Sequence, residues 1–236
     1  MLRANSIYWV KPDEDWANLS ESMPCLSPAE AAKSKSYRSD LNRRNFVIGR
    51  TLLRLLVGQL LGFDATQVEF SIGPNGKPHH VDRFGFEWPF FNVSHTPGLI
   101  IIALSTESVI GIDAEHVAGG RYFELYDHVL SVREKIQICA LEPSLQPRAF
   151  LRVWTRKEAL LKAAGFGITQ ELSEFDVSVG DSSRILPVLR HDGQIYLSQF
   201  AVRDVSIVDS HLTSIACSHD ASHFEVKALT LAVLGM

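Results

Sequence analysis

The sequence predicts an α+β fold built as a pseudo-dimer: two similar halves, each a small antiparallel sheet packed with a long helix, and an active site at their interface. Three observations predict the two halves; the site between them rests on the charged residues in both. Two long amphipathic segments, 40–61 and 147–164, stand far apart, with strand-like runs clustered around each. Both are followed by Gly-Phe-x-x-Thr-Gln ("GFDATQ" from Gly62, "GFGITQ" from Gly165) and then by a β-like run ending in glycine. Phe46 and Phe150 each precede a threonine, Thr51 and Thr155, by five residues. Repetition at equivalent places reads as duplication, with halves at 1–105 and 106–236.

The elements follow in order. "SIYWV" (6–10) has strand composition. The first helix stops at Gly62, and "GPNGKP" (73–78) is a loop. "FFNVSH" (90–95) and "LIIIAL" (99–104) are strands turned by "TPG", and "SVIGIDAE" (108–115) is the next strand. Pro147 suits the first turn of the second helix and Gly165 its exit. Strands at 194–202, 212–218 and 223–229 complete the set.

Composition narrows the function. With 236 residues, 46% hydrophobic and 21% charged, the chain is long enough for one large domain or two small ones. A net charge of −4 gives no global reason to bind nucleic acid, so any anion site is local. Three scattered cysteines, Cys25, Cys139 and Cys217, fit reduced thiols rather than a disulfide framework or zinc site. The apolar run "TLLRLLVGQLLG" (51–62) holds Arg54 and is too short to span a bilayer. The expectation is a soluble, cytoplasmic, monomeric protein without membrane attachment. Walker-type and dinucleotide-type glycine loops are missing from the sequence.

The second helix carries an anomaly. Its rows Leu151, Trp154, Glu158, Leu161 and Phe150, Val153, Lys157, Leu160, Ala164 are apolar except at their centres. A carboxylate and an ammonium stand where the helix meets its core. In "GIDAE", Gly111, Asp113 and Glu115 share one strand face, the two carboxylates roughly 7 Å apart at the backbone. They can converge on a hard divalent ion, and Gly111 leaves that face open for close approach. Glu158 is the natural third carboxylate, and Lys162, one turn on, can hold a phosphate oxygen beside the metal. A simple Glu158–Lys162 surface pair is the competing reading. Asn92 and Ser94 share a face at a strand end, and His95 sits beside the turn. Lys77 lies on a turn between Gly76 and Pro78, while Lys33, Lys35, Arg38, Arg43 and Arg44 form a local basic patch. Three carboxylates for an ion, with cations spread over both halves, suit a nucleotide-like polyphosphate.

On "GIDAE" (111–115) and "WTRKEALLKAAG" (154–165), supported by "NVSH", "GPNGKP" and "GRTLLR", the chain resembles the Sfp-type 4′-phosphopantetheinyl transferases of the holo-acyl-carrier-protein synthase superfamily. The resemblance spans roughly 27–180. It implies transfer of 4′-phosphopantetheine from coenzyme A to a serine of an apo acyl or peptidyl carrier protein, in fatty-acid, polyketide or nonribosomal peptide synthesis, releasing adenosine 3′,5′-bisphosphate. It implies Mg²⁺, or Mn²⁺ in its place, on Asp113, Glu115 and Glu158. Glu158 and Lys162 would be catalytic, with Lys162, Lys77 and Ser94 on the pyrophosphate. His95, Lys33 and Arg44 would hold the 3′-phosphate, and Lys157 would join the coenzyme A contacts. Asn45 stands where some relatives have arginine. The carrier is expected to dock near 116–135. A Mg²⁺-dependent nuclease fits less well, because the Lys-Glu pair is helical and the charge acidic; a non-catalytic coenzyme A- or carrier-binding module is the other alternative.

Overall fold

A computed structural model describes residues 5–12, 16–18, 25–81, 84–118, 122–166, 172–180, 189–190, 199–218 and 223–230. The strands are β1 (Asn5–Val10), β2 (Ser71–Ile72), β3 (Pro78–His79), β4 (Phe90–Thr96), β5 (Leu99–Ser105), β6 (Ile110–His116), β7 (Phe175–Asp176), β8 (Leu189–Arg190), β9 (Phe200–Asp204), β10 (His211–Ser218) and β11 (Glu225–Ala228). The α-helices are α1 (Pro28–Ser36), α2 (Asp40–Leu61), α3 (Tyr126–Val129), α4 (Val132–Cys139) and α5 (Gln146–Ala164). The α+β class is as the sequence predicts.

β5 shows how the layers are stacked, because all seven of its residues are buried. Ile100, Ile102 and Leu104 pack on Leu52, Leu53 and Leu56 of α2. Leu99, Ile101 and Ala103 face the other way, into a cluster with Ile110, Ile112 and Ala114 of β6 and Ile215 of β10. Each sheet thus gives one face to its own helix and the other to a shared core. On the far side, α5 buries Phe150, Val153, Leu160 and Leu161 with Val202 and Ala216.

The first sheet runs β11-β1-β5-β4 and the second β6-β10-β9. All pairings within them are antiparallel except one: β11 lies parallel to β1, pairing Ser6 with Glu225. The chain's last described strand therefore joins the sheet of the first half, so the halves are interlocked rather than simply consecutive.

Both long helices end alike. Gly62 (φ 73°) and Gly165 (φ 74°) adopt the left-handed cap, where only glycine avoids a Cβ penalty. Phe63 and Phe166 then donate N–H bonds back to Gly58 O and Leu161 O. A 3₁₀ turn follows each, at Ala65–Gln67 and Leu172–Glu174. The second copy of the repeated Thr-Gln phrase lies outside the described residues. So does most of the strand expected at 194–202, of which the structure describes β9 from Phe200.

Candidate active site

Three consecutive charged residues on α5, Arg156, Lys157 and Glu158, are all buried, at 0%, 0% and 7% exposure. Helical geometry turns each by about 100° from the last, so each meets a different partner. Arg156 grips Asp204 of β9 through Nε and Nη2, both at 2.8 Å, and donates through Nη1 to Ser178 O and Gly180 O. Lys157 Nζ donates to Glu134 Oε2 (2.6 Å), Val129 O (2.8 Å) and Leu172 O (2.7 Å). Glu158 faces the seam between the halves and lines its cleft. The interrupted apolar rows are thus explained: two charges lock the helix rotation, and the third is presented. The expected coenzyme A contact at Lys157 is corrected. Its three donor positions are spent inside the second half, on the side of α5 turned from the cleft.

The cleft encloses about 650 Å³ and draws its walls from both halves. Lys33, Tyr37, Phe46, Arg50, Lys77 and His95 come from the first; Glu158, Leu161, Lys162 and Gly165 come from the second. Five expected site residues are therefore together: Lys33, Lys77, His95, Glu158 and Lys162. Arg44 is not among the lining residues; Arg50, further along α2, takes a place in the wall.

Behind the wall, side chains stitch the two sheets. Asn92 of β4 accepts the N–H of Ile112 (2.9 Å), and Ser94 Oγ accepts that of Ala114 (3.3 Å). These two side chains replace a backbone ladder between β4 and β6. Ser94 Oγ also donates to Asp113 Oδ1 (3.0 Å), which ties it to the acidic cluster. Lys162 Nζ donates to the same Oδ1 (2.6 Å) and so pairs with β6 rather than along the helix with Glu158. Lys77 Nζ donates to Lys162 O (2.6 Å) and Ile110 O (3.3 Å), and Asn75 Nδ2 donates to Gly165 O (2.8 Å). The 73–78 loop of one half thereby caps the last carbonyls of the other half's helix, where a cation is favoured.

Gly111 was expected to leave room for a ligand. Instead its face is filled by α5: a Cβ there would stand 2.1 Å from Ala159 O and 2.3 Å from Ala163 N. The glycine lets helix and strand backbones touch, which brings Lys162 down onto Asp113.

The electrostatics are those of an acid surplus. Burial, and then Asp113, push the Glu115 carboxyl up to about 7, with Glu158 adding and Lys162 opposing. Burial and Asp113 likewise raise Glu158, against Lys162. Burial pushes the Lys77 ammonium down to about 8, Glu87 pulling it back and Lys162 adding to the fall. Burial, with Lys162, lowers His95. Asp113 Oδ2 is buried with no hydrogen-bond partner among the described residues. Among those residues no three acidic or imidazole side chains converge as a closed metal-holding group, so the expected triad is not assembled around a point. The physical reason is that Lys162 stands on Asp113 while like charges hold the carboxylates apart. The donor set nonetheless fits a hard divalent cation: oxygen ligands only, one of them orphaned, and two carboxyls whose ionisation a cation would restore.

Comparison with known proteins agrees with this geometry. Residues 109–216 match the 4′-phosphopantetheinyl transferase superfamily, and residues 9–107 match the 4′-phosphopantetheinyl transferase N-terminal family. The 4′-phosphopantetheinyl transferase HetI of Nostoc sp. is 34% identical over 173 residues, 72% of this chain and 73% of that one. A 4′-phosphopantetheinyl transferase of Bacillus subtilis is 26% identical over 163 residues, 69% and 70% of the two chains. A Synechocystis sp. protein provisionally assigned to the same transferase class is 35% identical over 150 residues, and the match spans 61% of its length. Two abutting family matches, over halves that meet at an acidic seam, make this chain a member of the 4′-phosphopantetheinyl transferase superfamily.

Proposed function

We propose that the protein transfers the 4′-phosphopantetheine group of coenzyme A to a serine of an apo acyl or peptidyl carrier protein, releasing adenosine 3′,5′-bisphosphate, with Mg²⁺ or Mn²⁺ held by Asp113, Glu115 and Glu158. One observation carries the reading. At the seam, Asp113 leaves a buried oxygen unpartnered while two neighbouring carboxyls are pushed toward their neutral forms. Such a cluster wants a divalent cation and, beyond it, an anion for the cations of the opposite wall. When bound, the cation supplies Lewis-acid stabilisation of a diphosphate.

The chain's own residues do the rest. The carrier serine oxygen bonds to the β-phosphorus of coenzyme A as the bond from that phosphorus to the bridging oxygen breaks. The hydroxyl proton passes to Glu158, whose carboxyl burial and Asp113 hold above its ordinary value. Charge growing on the departing oxygen is met by Lys162, the dominant kind of protein contribution to phosphoryl transfer. Lys77 and Ser94 lie beside Lys162 for the pyrophosphate; Lys33 and His95 line the far wall for the 3′-phosphate. Carrier docking is assigned to α3–α4 and the turn before them. There Phe123, Val132 and Ile136 are 64%, 72% and 66% exposed, the last two one turn apart on α4.

The test is incubation with coenzyme A, Mg²⁺ and apo carriers of fatty-acid, polyketide and peptide synthetase type, read by intact mass. A phosphopantetheine increment on at least one carrier is expected. Carriers that all stay apo, together with no calorimetric binding of coenzyme A, would remove the reading.

A further inference from the structure

α1 and α4 begin with the same device. Ser27 and Ser131 cap them, each accepting the N–H of a glutamate three residues on, and Glu30 and Glu134 each accept the N–H of their serine in return. Each glutamate is buried and clasped by a basic residue of the neighbouring long helix. Glu30 holds Arg54 (Nη2–Oε2 2.7 Å) and Arg50 (Nε–Oε1 3.3 Å); Glu134 holds Lys157 (2.6 Å). The basic residue then donates to the segment after its own helix, Arg54 to Ala65 O and Val68 O, Lys157 to Leu172 O. One latch has been used twice.

The two latches hold different things. α4 also buries Ile138, whereas the only buried residues of α1 are Glu30 and Ser34. Apolar burial therefore does little to hold α1, and the carboxylate between two guanidiniums does most. α1 carries exposed Lys33 and leads to Tyr37, both in the cleft wall. The first latch also has a second arginine with no counterpart in the other. Arg50 lies 5.6 Å from the Phe46 ring and 5.3 Å from that of Phe70. It lines the cleft, and its Nη1 has no hydrogen-bond partner among the described residues.

We propose that Glu30 is a positioning residue that latches α1 to α2 and fixes Arg50, so that Lys33, Tyr37 and Arg50 form the wall receiving the phosphorylated nucleoside end of coenzyme A. The assignment of ligand rests on the function proposed above; the latch itself does not.

Glu30→Gln tests it, since glutamine preserves the capping box but removes the shared charge. Hydrogen exchange in residues 28–36 should quicken ~10-fold or more. Adenosine 3′,5′-bisphosphate, titrated calorimetrically, should bind at least ~10-fold more weakly, with KM for coenzyme A rising in parallel and kcat within ~3-fold. Glu134→Gln loses a pair of the same kind, yet should leave bisphosphate affinity within ~3-fold and lower kcat instead, through Lys157 beside Glu158. Arg50→Met, with Glu30 still paired to Arg54, should weaken the bisphosphate while largely preserving α1 protection. If Glu30→Gln does not fold, Glu30→Asp should give the same ordering at smaller size. Unchanged exchange in α1 overturns the latch. Equal loss of bisphosphate affinity in the Glu30 and Glu134 variants, or none in Arg50→Met, overturns the wall. Should the unsubstituted protein bind no bisphosphate, the coenzyme A reading and the wall fall together, and exchange still decides the latch.

Discussion

α2 and α5 share a stop signal, a latch and a sheet to lie on, but they meet their sheets differently. α5 touches β6 backbone to backbone at Gly111, where an added Cβ would meet Ala159 O at 2.1 Å. α2 keeps a side-chain layer: a Cβ on Gly49 would meet Ile100 Cγ2 at 3.5 Å and Val93 Cγ1 at 3.7 Å, ordinary contacts. The tight half carries Glu158 and holds Lys162 within hydrogen-bond reach of Asp113; the looser half supplies cleft-wall cations such as Lys33 and Arg50. Close packing stands where the proposed chemistry needs sub-ångström placement, and latitude stands where charge suffices.

The sharpest way to break this contrast is to remove one group from each side. Asp113→Ala or Glu158→Gln should cut transfer by at least ~10³-fold with melting and circular dichroism little changed. Lys33→Ala in the other wall should mainly raise KM for coenzyme A, by ~10-fold, because one exposed phosphate contact is lost. Comparable losses of kcat in both would erase the distinction between a catalytic half and a binding half. Next in size is Lys157→Met. It strands Glu134, which keeps N–H bonds from Ser131 (2.8 Å) and Val177 (2.7 Å) but loses its countercharge. A stability loss of about 3–5 kcal/mol is expected by urea unfolding. A variant as stable as the parent would mean that the buried pair orders nothing. Gly111→Ala follows, at about 1–3 kcal/mol, because the helix must lift from the strand. Its kcat should fall as well, since the lift separates Lys162 from Asp113.

Much of this was legible in the sequence, and the failures have physical reasons. Asp113, Glu158 and Lys162 were found because strand and helix periods decide which side chains share a face. The duplicated halves were found because the Gly-Phe caps impose a local geometry that only certain residues satisfy. Lys157 was misassigned because neighbouring helical charges point about 100° apart, and a pattern alone does not say which of two apolar rows meets the cleft. Gly111 was read as room for a ligand; a missing side chain looks the same whether a ligand or a helix backbone fills the space. Arg50 stands in the "GRTLLR" segment with no local sign of a binding role, although its spacing from Phe46 and Gly49 sets all three on one face. The parallel pairing of β11 with β1 has no local signature at all, because it joins segments from opposite ends of the chain.

Acidity gives a gentler probe of the same asymmetry. Glu115 is raised to about 7 from its usual 4.5, so the folded ligand-free protein keeps that proton longer than the unfolded chain. Its contribution to stability is present below the usual carboxylate value and is lost as pH rises through about 7. Lys77 is lowered from 10.5 to about 8, so its contribution runs the other way and grows as pH climbs from 8 toward 10.5. Burial also lowers His95 and His211, which add stability as pH rises toward 6.5, so the acid is read by difference: relative to the parent, Glu115→Gln should shift the slope of ligand-free melting temperature between pH 5 and 8 upward. A slope indifferent to Glu115 would contradict the buried acid surplus.

The smallest effect belongs to Gly49→Ala, and its sign is the informative part. Alanine is the better helix former by ~0.5–1 kcal/mol in a helix interior, and the nearest atoms, Ile100 Cγ2 and Val93 Cγ1, stand at ordinary contact distance. The substitution should leave the protein equally stable or slightly more so by thermal melting. Because Gly49 also lines the cleft, the added methyl should show instead as a modest rise in KM for coenzyme A with kcat unmoved. A destabilisation approaching that of Gly111→Ala would mean that α2 sits on its sheet as tightly as α5 does, and the contrast between a rigid catalytic half and a tolerant binding half would have to be abandoned.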